Sequence, residues 1–84
     1  MVTYNIIFSK SFKDTVSKIK DITLKTKISK QIKKIIDNPE VGKPMRNVRK
    51  GTREVYIKPH RLSYSFIKKE KEIIFLALYH KNEQ

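Results

Sequence analysis

Residues 51–84, GTREVYIKPHRLSYSFIKKEKEIIFLALYHKNEQ, decide the fold. Three runs rich in β-branched and aromatic residues are separated by Pro59-His60 and by the charged cluster from Lys68 to Glu72, the pattern of an antiparallel meander. The predicted strands are 53–58, 61–67 and 72–79. Side chains alternate across a strand, so Leu62, Tyr64 and Phe66 share a core face while Arg61, Ser63 and Ser65 share a solvated one. On the first strand Val55 and Ile57 point inward. Glu54, Tyr56 and Lys58 then share the outer face with Arg61, which gathers a carboxylate, a phenol, an ammonium and a guanidinium. The third run, EIIFLALY, is apolar on both faces and belongs inside the sheet. His80 follows it at the sheet's edge, within reach of a substrate, so that Arg61 and His80 are expected to close one cationic hollow.

The chain has 84 residues, enough for one domain with a modest core, and residues 1–84 are read as that single domain. It has no cysteine, which excludes a disulfide framework or a thiolate metal site. No apolar run approaches a membrane span, and the opening MVTYNIIFSK lacks a secretory pattern, so a soluble cytoplasmic protein with no membrane partner is expected. Twenty Lys plus Arg against eight acids give a net charge of +12, which calls for a polyanionic partner. All four arginines, Arg46, Arg49, Arg53 and Arg61, fall within one short segment, whereas the first half uses only lysine. A guanidinium grips phosphate through two parallel hydrogen bonds, so that segment is the candidate for specific contact; the helix lysines read as a solvated coat.

Earlier in the chain, Val2 to Phe8 is β-prone and reads as a first strand. Ser9 or Ser11 caps a helix, Ser11 with Asp14 fitting a capping box. Phe12, Val16 and Ile19 form one helical stripe; the phase shifts at residues 21–23, and Leu24, Ile28, Ile32, Ile35 and Ile36 form a second. Asn38-Pro39 ends that helix. Residues 39–51 read as a basic loop anchored by Met45 and Val48. The order is β-α-α-β-β-β, an α+β plan with a two-helix hairpin on one face of a mainly antiparallel sheet.

Several of these pieces together resemble the RelE/YoeB superfamily of toxins from bacterial and archaeal toxin-antitoxin modules. They are the opening strand, the hairpin ending at Asn38-Pro39, Pro44-Met45-Arg46, Gly51 with its basic strand, His60-Arg61-Leu62-Ser63-Tyr64, and the closing Tyr79-His80-Lys81. The HRLxY element followed by the terminal strand and histidine is the most specific part. The resemblance implies a RelE-like fold and a metal-independent endoribonuclease, an mRNA interferase acting at the ribosomal A site, with no cofactor. It also implies neutralisation by a cognate RelB-like antitoxin in a hetero-oligomer. The nucleophile is then the substrate's own 2′-hydroxyl.

That chemistry needs a base for the 2′-hydroxyl proton, cations for the developing phosphorane charge and an acid for the leaving 5′-oxygen. Arg61 matches the family's phosphate-binding arginine and His80 its C-terminal histidine, the implied general acid. Base candidates are Glu54 and Lys58. Arg46, Arg49, Lys50, Arg53, Tyr56 and Lys81 are the expected RNA contacts, Tyr56 by stacking on a base. Arg61 has a second reading, a cross-strand pair with Glu54 that merely staples the sheet. Two further functions share these residues: a ParE-like inhibitor of DNA gyrase, and a catalytically weak nucleic-acid-binding relic.

Overall fold

The computed structural model describes residues 3–45 and 51–80. Its elements are β1 (Asn5–Phe8), α1 (Lys10–Ser17), α2 (Ile22–Asp37), β2 (Lys43–Pro44), β3 (Thr52–Ile57), β4 (His60–Ile67), a short 3-10 turn (Lys68–Glu70) and β5 (Glu72–His80). The sheet order is β1-β5-β4-β3-β2, antiparallel throughout except for the parallel pair β1 and β5. β5 has neighbours on both edges, as its apolar faces require. Among the described residues no helix is long and apolar enough to cross a membrane.

Ser9 is the cap of α1, its hydroxyl accepting from the Phe12 N–H at 3.1 Å. The expected Ser11–Asp14 box is not used, because Ser9 is also held by the sheet: its hydroxyl donates to the Leu76 carbonyl at 2.6 Å. Ser11 is already inside the helix. α2 opens at Asp21, whose carboxylate accepts from the Thr23 and Leu24 N–H groups, and ends at Asn38. Phe12 from α1 and Ile28 and Ile35 from α2 bury against Ile57, Leu62, Tyr64, Ile73, Phe75 and Leu78 of the sheet. Both helices therefore cover one face, and among the described residues no helix covers the other.

β2 interrupts the expected loop. Its two residues pair with β3, Lys43 opposite Glu54 and Pro44 opposite Arg53. Two side chains hold it there. The buried Tyr64 hydroxyl accepts from the Gly42 N–H and donates to the Pro39 carbonyl, each at 2.8 Å. Arg53 Nη1 donates to the carbonyls of Glu40 at 3.0 Å and Gly42 at 2.8 Å. A Cβ on Gly42 would lie 2.5 Å from the Tyr64 hydroxyl, so only glycine admits this approach.

The register of β5 contains the feature that most affects function. Ser63 faces Ala77 but the next residue, Tyr64, faces Phe75, so Leu76 is an extra residue, a β-bulge. The bulge shifts the alternation: Ile73 and Phe75 point to the helices before it, and Leu78 does so after it. A regular strand would have turned Ala77 and Tyr79 inward after Phe75 and sent His80 outward. Here Tyr79 takes the outer position and His80 the inner one.

Candidate active site

The open face of the sheet carries an open cavity of about 320 Å³ lined by Lys43, Glu54, Tyr56 and Arg61. The register brings them together from three strands. Tyr56 stands opposite Arg61 across β3 and β4, and Lys43 stands opposite Glu54 across β2 and β3. Glu54 is the hub. Arg61 Nη1 donates to its Oε1 at 3.0 Å, and the Tyr79 hydroxyl donates to its Oε2 at 3.0 Å. Tyr79 is opposite Arg61 on β5, so the three side chains form one connected row. Burial pushes the Tyr79 phenol above its ordinary 10.0; the hydrogen bond to Glu54 and its negative charge add to this, and Arg61 opposes it. Tyr56 is half exposed at the rim.

Of the predicted site residues, Glu54, Tyr56 and Arg61 meet in this cavity. His80 does not join them. It stands opposite His60 on the helix side, their ring centroids 5.4 Å apart and their planes at 74°. The expectation of one hollow shared by Arg61 and His80 is corrected by the Leu76 bulge, which exchanges the faces of His80 and Tyr79. Lys58 has also left the group: β3 ends at Ile57, and Lys58 is exposed in the turn to β4. Arg53 lies opposite the buried Tyr64, its guanidinium engaged with the carbonyls of residues 40 and 42 and 3.8 Å from the Glu40 carboxylate. These contacts hold β2 in place. Arg46, Arg49, Lys50, Lys81 and the anchor Val48 lie outside the described residues.

Two residues of the site had no forecast, Lys43 in the cavity lining and Tyr79 on Glu54. Lys43 enters through β2, and the signal was Tyr64: a buried phenol needs partners, and the loop after α2 supplies them. Tyr79 enters through the bulge, which nothing in the apolar run EIIFLALY announces. Among the described residues no group of three or more His, Cys, Asp or Glu side chains is placed to hold a metal ion.

Two helices packed on one face of a mixed five-stranded sheet form the fold that the resemblance implied. The sequence model of the ParE toxin of the type II toxin-antitoxin system parDE matches residues 6–84. The chain belongs to that family, within the RelE/ParE superfamily of toxins. No curated protein matches it by sequence. Among solved structures it is similar to the toxin in the intact Escherichia coli RelBE toxin-antitoxin complex, with TM-score 0.79 and 12% identity over 93% of this chain and 96% of that one. It is similar to the RelBE2 toxin-antitoxin complex of Mycobacterium tuberculosis, with TM-score 0.77 and 22% identity over 95% of this chain and all (100%) of that one. The YoeB/ParE toxin from Agrobacterium tumefaciens gives TM-score 0.79 and 17% identity over 90% and 96% of the two chains. At such identities these likenesses establish the fold. The protein is the toxin component of a type II toxin-antitoxin system.

Proposed function

We propose that this toxin is a metal-independent endoribonuclease that cuts messenger RNA in the ribosomal A site through the pocket on the open sheet face. The observation that carries the reading is the Arg61–Glu54–Tyr79 row, which sets a cation beside a fixed carboxylate at the floor of an open cavity. A scissile phosphate enters against Arg61 and Lys43, whose charges stabilise the pentacovalent transition state. Glu54 takes the proton from the 2′-hydroxyl, and the freed oxygen attacks the adjacent phosphorus. The P–O5′ bond breaks as the new P–O2′ bond forms, giving a 2′,3′-cyclic phosphate and a 5′-hydroxyl. The leaving oxygen receives its proton from Lys43 or the Tyr56 phenol, the remaining donors of the cavity wall. Tyr56 stacks on a neighbouring base. No imidazole has a part in this scheme, because His80 faces the helices. A cognate antitoxin of the RelB type is the neutralising partner in this reading; two of the similar structures are such toxin-antitoxin complexes.

Programmed ribosomes incubated with the toxin and a chelator should yield discrete message cleavage. Arg61→Ala and Glu54→Gln should each abolish it; cleavage by either variant at the parent rate removes the pocket from the reaction.

A second reading is inhibition of DNA gyrase, in the manner of ParE-like toxins. It is supported by the family match and by the Arg61 guanidinium being engaged by Glu54, as a purely structural pair would be. It predicts inhibited supercoiling by purified gyrase and intact message in the ribosome assay.

A further inference from the structure

We propose that the solvent face of α2 is a second polyanion-binding surface, on which Lys27, Lys30, Lys33 and Lys34 hold the phosphate backbone of a structured RNA. These four lysines fall within about 120° of arc at about 100° per residue, and they span about 10 Å of helix axis. All four are exposed. Ile28 and Ile35, on the opposite side of the same helix, are in the core. The stripe therefore points away from the sheet, while the cavity lined by Lys43, Glu54, Tyr56 and Arg61 opens on the sheet's other face.

The stripe carries four ammonium groups against one carboxylate, Asp37 at the end of the helix. Lys27 and Lys30, Lys30 and Lys33, and Lys30 and Lys34 are neighbours at three or four residues' spacing, where like charges destabilise an isolated helix. Between Asp21 and Asp37 the helix has no acidic residue, and Asp37 neighbours only Lys33 and Lys34, at four and three residues' spacing. None of the four lysines has a carboxylate within ion-pair distance among the described residues. They are also remote from the first turn, and only Lys34 is in the last, so the helix dipole compensates one of the four at most.

The chemistry of the face selects the partner. A protein-binding helix face has an apolar centre. Here the lysines are accompanied by Thr23, Thr26, Ser29 and, at the end of the helix, Asp37, and the exposed apolar residue of α2, Ile22, stands at its first position, more than a turn before Lys27. Lysines interleaved with hydroxyls and without an apolar anchor fit a phosphate backbone, bound without base readout. The described body measures 35 × 30 × 21 Å, with α2 on one side of the sheet and the cavity on the other. A short single strand in the cavity does not reach the stripe without wrapping the edge, so the stripe fits a separate, folded RNA element. The choice of RNA over other polyanions rests on the proposed ribonuclease activity.

The test is a salt titration of binding to a 2′-O-methyl RNA hairpin, which 2′-hydroxyl chemistry cannot cleave. The variant with Lys27→Gln, Lys30→Gln, Lys33→Gln and Lys34→Gln keeps strong helix formers, and circular dichroism checks its fold. Each phosphate contact contributes about 0.7 to 0.9 to the slope of log K against log salt, so the variant should lose about 3 from that slope and bind more weakly. Arg61→Ala should change the slope by about 1 or less while losing message cleavage. A slope within about 1 of the parent in the lysine variant overturns the proposal, as does unchanged hairpin binding with lost antitoxin binding. If the parent cuts no message but the slope still falls by about 3, the ribonuclease reading fails and the docking surface stands.

Discussion

The Arg61 guanidinium lies 3.0 Å from the Glu54 carboxylate on the open face of the sheet, and the second carboxylate oxygen is held at 3.0 Å by Tyr79. Arg61 and Glu54 are both partly exposed, and a pair of this kind contributes about 0.2 to 1 kcal/mol to folding. Arg61→Ala is thus expected to leave the thermal midpoint nearly unchanged while reducing message cleavage by about 100-fold or more. A melting curve beside single-turnover cleavage separates the two roles. A large loss of stability with unchanged cleavage would make Arg61 a sheet staple.

Tyr64→Phe removes the hydroxyl that joins Gly42 and Pro39, leaving a buried N–H and a buried carbonyl without that partner. The expected cost is about 1 to 3 kcal/mol, read as a lower midpoint in urea. Lys43 reaches the cavity only through the segment so held, so cleavage should fall as well.

Gly42→Ala sets a methyl group 2.5 Å from the same hydroxyl. Either the phenol or the segment must move, with an expected destabilisation of about 1 to 3 kcal/mol. The double variant with Tyr64→Phe should lose less than the sum of the two, because both changes act on one contact.

Alkaline pH should weaken the fold through two phenols. Burial is the first cause of the raised pKa of both Tyr64 and Tyr79, whose unfolded value is 10.0. The folded state holds these protons more tightly than the unfolded chain. Their contribution is therefore fully present below pH 10.0 and is lost as pH rises from there through the folded values. Thermal melts across that range should show falling stability, with a shallower fall in Tyr79→Phe.

The hairpin of β3 and β4 was legible because Arg61, Leu62, Ser63 and Tyr64 alternate polar and apolar, and such alternation fixes the buried face. The same property placed Glu54, Tyr56 and Arg61 on one face, while Lys58, expected beside them, lies past the end of β3. β5 defeated the reading for the converse reason. Its apolar residues lie on both faces, so periodicity cannot reveal that Leu76 is an extra residue, and the bulge exchanges His80 for Tyr79 beside Arg61. β2 was hidden because two residues carry no period; its place depends on Tyr64 and Arg53, both remote in sequence. The helices were legible from their stripes, and of the two cap candidates Ser9 is selected over Ser11 by its bond to the Leu76 carbonyl.

The most direct measurement is cleavage of a programmed message whose cut site has a single 2′-deoxynucleotide in place of the ribose 5′ to the scissile phosphate. The proposed chemistry predicts cutting of the all-ribose message, with a 2′,3′-cyclic phosphate end, and no cutting at the deoxy position. Cleavage at that position, or an intact all-ribose message, would contradict it.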